Sequence, residues 1–123
     1  TTSTDKNGRI NVVGSVTFGS AYEGPPGCVH GGVIAAYFDE VCGVAQSTTG
    51  NPGMTVNLTI NYRAPTPLHK PLEFRAFVAS TEKRKIITTG SLYHGETLCA
   101  EATGIFVSMR PEIFERLTQL RDA

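Results

Sequence analysis

The chain has 123 residues, with 11 Lys+Arg against 11 Asp+Glu, so its formal net charge is zero when the histidines are neutral. That length suits one domain around one core. The charge balance argues against a nucleic-acid binder, whose affinity rests on a basic surface that releases counterions. No apolar run approaches the roughly 20 residues that span a bilayer, and three scattered cysteines, Cys28, Cys42 and Cys99, make no disulfide scaffold. The expectation is a soluble, cytoplasmic domain that neither binds nucleic acid nor spans a membrane.

Residues Thr1 to Arg9 are polar, do not read as a secretory signal, and are expected to be flexible. The chain begins without Met, which leaves an upstream segment open. A first strand is predicted over Ile10 to Phe18, where Ile10, Val12, Val16 and Phe18 share one parity of a two-residue period. Gly14 on that parity reads as a bulge or a close backbone approach. Tyr22 to Gly27 is a loop by composition.

His30 to Thr48 carries a helix. Val33 to Phe38 is apolar on every face, and Val41, Val44 and Ala45 continue the run, so the helix is expected to be buried all round. Gly50, Asn51, Pro52 and Gly53 stop it after roughly 17 residues, about 25 Å at 1.5 Å per residue. Met54 to Arg63 then alternates, with Val56, Leu58, Ile60 and Tyr62 on one face and Thr55, Asn57, Thr59, Asn61 and Arg63 on the other. Strands follow at Leu72 to Ser80, Lys85 to Tyr93 and Leu98 to Met109, the last two joined by a hairpin turn at His94-Gly95-Glu96. Pro111 to Leu120 is a short terminal helix with Ile113, Phe114, Leu117 and Leu120 at helical spacing. Four consecutive strands with short connections favour a meander, and the long helix is the element able to cover its apolar face. The predicted fold is α+β, a curved antiparallel sheet wrapped around one central helix.

Several residues are candidates for chemistry. Asp39 and Glu40 interrupt the apolar helix, and neighbours diverge by about 100°, so one faces solvent and the other a partly buried groove. A buried carboxylate is either a satisfied structural group or a base or nucleophile. The helix opens on Cys28-Val29-His30-Gly31-Gly32, whose glycines leave backbone N–H groups exposed at the positive end of the dipole. Such a terminus is either a tight turn or a site that polarises a carbonyl oxygen. His30 alone reads equally as a cap. Asp39 lies nine residues beyond His30, roughly 13 Å along the axis. If both serve one site, the second must come from another copy, and a two-fold dimer would build two equivalent sites.

Thr55 sits on a polar strand face that is either simply solvated or orients a water, with Asn61 and Arg63 further along it. Lys83-Arg84-Lys85 is either a turn with solvated charges or a phosphate clamp. Cys28 is two residues from His30, which alone does not make a Cys–His nucleophile, while Cys42 and Cys99 read as small core residues. No metal-ligand spacing, P-loop or dinucleotide-binding glycine motif occurs, so no metal and no cofactor are expected.

Val29 to Gly43 resembles the His-Gly-Gly…Asp signature of hotdog-fold acyl-CoA thioesterases. Met54 to Pro65 is similar to that family's second strand and Glu101 to Val107 to its last, so the likeness runs from about Gly19 to Met109. The resemblance implies a five- or six-stranded antiparallel sheet around a long helix, assembled as dimers or tetramers. It implies that the Gly31 amide polarises a thioester carbonyl, that His30 shapes the loop and that Gly32 touches substrate. Asp39 of the opposite subunit would attack or activate a water, the nine-residue spacing selecting it over Glu40, and Thr55 would position that water. Asn61, Arg63, Arg84 and Lys85 fall where relatives contact coenzyme A. Acyl-CoA is therefore the expected partner. The alternatives are a non-catalytic acyl-CoA binding or regulatory module and, ranked last, a dehydratase, whose catalytic histidine pattern His30 does not match.

Overall fold

The alternating segments form six strands, and the computed structural model joins them in one antiparallel sheet; residues 2–5, 7–51 and 53–123 are described. The strands are β1 (Thr2–Thr4), β2 (Ile10–Val16), β3 (Gly53–Tyr62), β4 (Leu72–Glu82), β5 (Lys85–His94) and β6 (Thr97–Ser108). The helices are α1 (Gly31–Ser47) and α2 (Pro111–Asp122). The sheet wraps α1, which packs on β2 through β6. The expected sheet-around-helix architecture is thus what the chain adopts. Pro52, read above as part of the stop after the helix, lies outside the described residues.

The strand order is β1-β2-β4-β5-β6-β3, which corrects the expected four-strand meander. Of the four strands after the helix, β4, β5 and β6 follow one another as hairpins, turning at Lys83-Arg84 and at Gly95-Glu96, and β3 does not join them in sequence. Nine residues separate Tyr62 from Leu72, and Pro65, Pro67 and Pro71 stand among them, so β3 and β4 cannot close as a tight hairpin. The connection instead runs under the loop before α1, where Val29 N–H donates to the Thr66 carbonyl at 2.8 Å. β3 pairs with β6 and forms one edge of the sheet.

Two other expectations change. Residues 2–4, expected to be flexible, form an edge strand on β2, followed by a turn in which the Asp5 carboxylate accepts from the Asn7 and Arg9 amides at 2.9 and 3.1 Å. Gly14 is neither a bulge nor a close approach: it pairs regularly with Phe74, and a Cβ there meets nothing within 4 Å.

The core lies between α1 and the sheet. Phe38 is fully buried and meets Phe74 edge to face at 5.2 Å between centroids. The helix comes this close because β5 is glycine at position 90, where a Cβ would stand 3.0 Å from the Phe38 ring. Contrary to the expectation of burial all round, one face of α1 remains open. Ile34, Phe38, Cys42, Ala45 and Gln46 are buried, whereas Tyr37 and Val44 are 37 % and 43 % exposed. α2 begins with proline in its first turn, as expected, and none of its residues is buried.

Candidate active site

The loop before α1 is closed by Gly24 N–H donating to the Cys28 carbonyl and His30 N–H donating to the Tyr22 carbonyl. Glycine is required at position 24, where a Cβ would lie 2.8 Å from the His30 Cα. This closure leaves His30 as the N-cap of α1. Its Nδ1 accepts from the Gly32 amide at 2.9 Å, so that nitrogen carries no hydrogen and the imidazole hydrogen is on Nε2. The His30 carbonyl accepts from the Val33 and Ile34 amides. On the far side, the Tyr62 hydroxyl donates to the Gly31 carbonyl at 2.6 Å.

The two glycines are therefore not equivalent. The Gly32 amide is consumed by His30, and a Cβ at Gly32 would sit 3.1 Å from the imidazole ring. Gly32 is thus glycine to admit the cap, and its amide is already engaged. The Gly31 amide has no hydrogen-bond partner among the described residues. It borders an open, mainly apolar pocket of about 470 Å³ shared by Cys28, Ile34, Tyr62, Arg63 and Pro65. A free amide at a helix N-terminus beside an apolar pocket is suited to polarising a carbonyl oxygen.

Farther along α1, Asp39 Oδ1 accepts from the Thr55 hydroxyl at 2.7 Å. Strict alternation would put Thr55 on the strand face opposite Leu58 and Ile60. A bulge between Thr55 and Asn57 reverses the parity. Leu58 and Ile60 pack against the core, and Thr55 joins them on the side facing the helix, opposite the buried Phe106. Val56, expected inside, is 57 % exposed. Asp39 and Glu40 both line a second pocket, of about 310 Å³, with Gly43, Gln46 and Thr55. Both carboxylates are exposed in the single chain, which corrects the expected division into one solvated and one buried group.

The predicted binding residues divide between the two ends. Arg63 lies by the first pocket and pairs with Glu101 at 3.0 Å, the residue that faces Asn61 across the ladder. Asn61 and Arg63 lie six and eight residues beyond Thr55, at the other end of the β3–β6 ladder and about 20 Å or more away at roughly 3.3 Å per residue. Lys85 instead shares the sheet end with Thr55: Met54 and Lys85 both pair with Val107 on β6, one from each side. Arg84 forms the adjoining turn with Lys83, whose φ is +56°.

Cys28 has no hydrogen bond to His30 among the described residues. Cys42 and Cys99 are fully buried, as expected, and burial pushes the Cys42 thiol above its ordinary value. Tyr62 was legible only as an apolar strand residue. The one hint at more was its hydroxyl, which needs a partner wherever the ring packs against backbone. Gln46, buried and donating to the Asn51 carbonyl, ties the end of α1 to the approach of β3 and was likewise not singled out.

A sheet wrapped around one long helix, with a free amide at its N-terminus and a carboxylate–hydroxyl pair midway, defines a class rather than a single protein. The chain belongs to the thioesterase superfamily, which residues 26–103 match. It is 35% identical over 96 residues to the acyl-coenzyme A thioesterase THEM4 of Bos taurus, covering 76% of this chain and 39% of that protein. The chain thus spans about two-fifths of the length of such curated relatives. A crystal structure described as a thioesterase superfamily protein aligns with TM-score 0.76 at 39% identity, over 86% of this chain and 54% of the other. A Bacillus halodurans protein solved with CoA aligns with TM-score 0.73 at 25% identity, over 89% of this chain and 74% of the other.

Proposed function

We propose that this chain hydrolyses acyl-CoA thioesters to a carboxylic acid and coenzyme A, in sites shared between two copies. One observation carries the reading: in a thioesterase-superfamily chain, the free Gly31 amide and the Asp39 carboxylate held by Thr55 stand apart along one helix. Gly31 and Asp39 are eight residues from each other, about 12 Å along the axis. Their pockets have no lining residue in common. Reacting groups need to approach within about 3–3.5 Å, so one chain cannot bring Asp39 to a carbonyl held at its own Gly31.

A two-fold pair with the helices antiparallel removes the difficulty. Gly31 of one copy then faces Asp39 and Thr55 of the other. The open face of α1 and the edge strand β3, with Tyr37, Val44, Met54 and Val56 exposed, support this side as the one that pairs. Each site would draw Asn61 and Arg63 from one copy and Arg84 and Lys85 from the other, basic groups suited to coenzyme A phosphates.

In the reaction, the Gly31 amide donates to the thioester oxygen, increasingly as negative charge gathers there. Thr55 holds Oδ1 of Asp39, leaving Oδ2 to take a proton from water. The water oxygen attacks the carbonyl carbon, the C–S bond breaks, and the proton passes from Asp39 to the departing thiolate. We favour this general-base route over direct attack by Asp39. Single turnover in labelled water separates the two, the label entering the product acid in the first case and the enzyme carboxylate in the second.

The test of the function is thiol release from a panel of acyl-CoAs. Asp39→Asn is expected to lower kcat by about 10²- to 10⁴-fold. Equal turnover by the variant removes Asp39 from its role. Acyl-CoA bound tightly by the parent without thiol release instead establishes a binding module.

A further inference from the structure

The Gly31–Gly32 peptide is held at both ends. Its N–H, from Gly32, donates to His30 Nδ1 at 2.9 Å, and its C=O, from Gly31, accepts from the Tyr62 hydroxyl at 2.6 Å. His30 reaches it from within the helix cap. Tyr62 reaches it from the last position of β3, a separate element. A Cβ on Gly31 would stand 3.3 Å from the Tyr62 hydroxyl, so the phenol lies directly against a residue with no side chain.

Glycine is the residue with the broadest backbone freedom. The Gly31 amide is also the one the proposed reaction requires to be aimed, and the one with no partner of its own among the described residues. The peptide that carries this amide is held at its other end, where the His30 carbonyl accepts from the Val33 and Ile34 amides, and fixing the peptide that follows Gly31 limits the rotation left about the Gly31 Cα. We propose that Tyr62 is a positioning residue: through the Gly31 carbonyl it aims the free Gly31 amide at the developing oxyanion. This rests on the hydrolytic reading above. Tyr62 does not itself donate to the substrate, since its single hydroxyl hydrogen is committed to the Gly31 carbonyl.

The consequence is specific to the transition state. A thioester oxygen is a weak acceptor in the ground state and a strong one once charge gathers on it, so a misaimed amide lowers kcat and leaves KM nearly unchanged. The side chain is 53 % exposed, so removing its hydroxyl leaves the core intact. Tyr62→Phe keeps the pocket wall and removes the hydrogen bond. Its expected effect is a roughly 3- to 10-fold loss of kcat, the worth of one hydrogen bond. KM is expected to stay within about twofold, and the melting temperature to fall by no more than about 5 °C, as for one hydrogen bond. Tyr62→Leu also removes the wall and is expected to raise KM in addition.

An independent readout needs no turnover. In nitrogen-15 relaxation of the substrate-free protein, the Gly31 amide is expected to be ordered in the parent and to gain motion in Tyr62→Phe. Unchanged kcat in Tyr62→Phe, or a loss confined to KM, overturns the proposal. A parent that releases thiol from no acyl-CoA overturns the hydrolytic reading instead. The restraint on the peptide is then judged on the Gly31 amide, and unchanged order there overturns it.

Discussion

At the N-terminus of α1, His30 and Tyr62 hold one peptide from two sides and leave a single free amide between them. About two turns later, Asp39 has one hydrogen bond, from Thr55, and both side chains stand exposed. The first arrangement is complete within one chain: cap, restraint and apolar pocket are all present. The second presents a carboxylate on α1 and a hydroxyl on β3, both open to solvent. On the proposed reading the helix acts as a ruler, holding the two halves of the reaction too far apart to meet unless a second copy supplies the missing half.

The sharpest way to break that comparison is to cripple each end separately and mix the products. Gly31→Val puts side-chain atoms where the Tyr62 hydroxyl now lies, and is expected to lower kcat by roughly 10²-fold, as loss of an oxyanion donor does. Combined with Asp39→Asn after dissociation and reassociation, it is expected to restore about one quarter of parental activity, since half the pairs are mixed and each has one intact site. No recovery, with mixed pairs shown by mass, places both groups in one chain's site.

Thr55→Val tests the mid-helix end alone. Losing the hydroxyl that holds Asp39 is expected to reduce kcat roughly 10-fold, and Thr55→Ser to retain most activity in the same thiol-release assay. His30→Ala tests the N-terminal end by stability. Loss of the cap is expected to cost about 1 kcal/mol and lower the melting temperature by about 3–5 °C.

The smallest effect lies away from both ends. The Arg9 and Asn7 amides and Asn11 hold the Asp5 carboxyl below its ordinary value. A carboxyl with a depressed folded value stabilises the fold at pH above its unfolded value near 3.8, and that contribution is lost as pH falls through the folded value. Carbon-13 titration of Asp5 is expected to show the downward shift, and Asp5→Asn to leave kcat unchanged.

Most of the scaffold was legible because periodicity reports burial directly. The helix read over 30–48 forms over Gly31–Ser47, and the strand read over 54–63 forms over Gly53–Tyr62. The cap–glycine–glycine opening and Asp39 were legible too, since two glycines and a carboxylate are conspicuous in an apolar helix. Three features were not. Strand order was not: the four strands read as a meander, and no local pattern says that β3 passes over β4 and β5 to pair with β6. The partner of Thr55 was not, because one inserted residue reverses the parity that alternation assigns. The contact of the Tyr62 hydroxyl with the Gly31 carbonyl was not, because an apolar position on a strand hides the one polar atom of the ring.

By itself, then, the sequence determined the elements other than β1, the central position of α1 and the spacing of Gly31 from Asp39, all set by local pattern along the chain. The tertiary structure decided which groups meet. The bulge at Val56 turns Thr55 toward Asp39, and the pairing of β3 with β6 carries Tyr62 to the Gly31 carbonyl. Both contacts join positions 16 and 31 residues apart, and contacts of that range depend on register and on how the sheet closes over the helix, which no local pattern encodes.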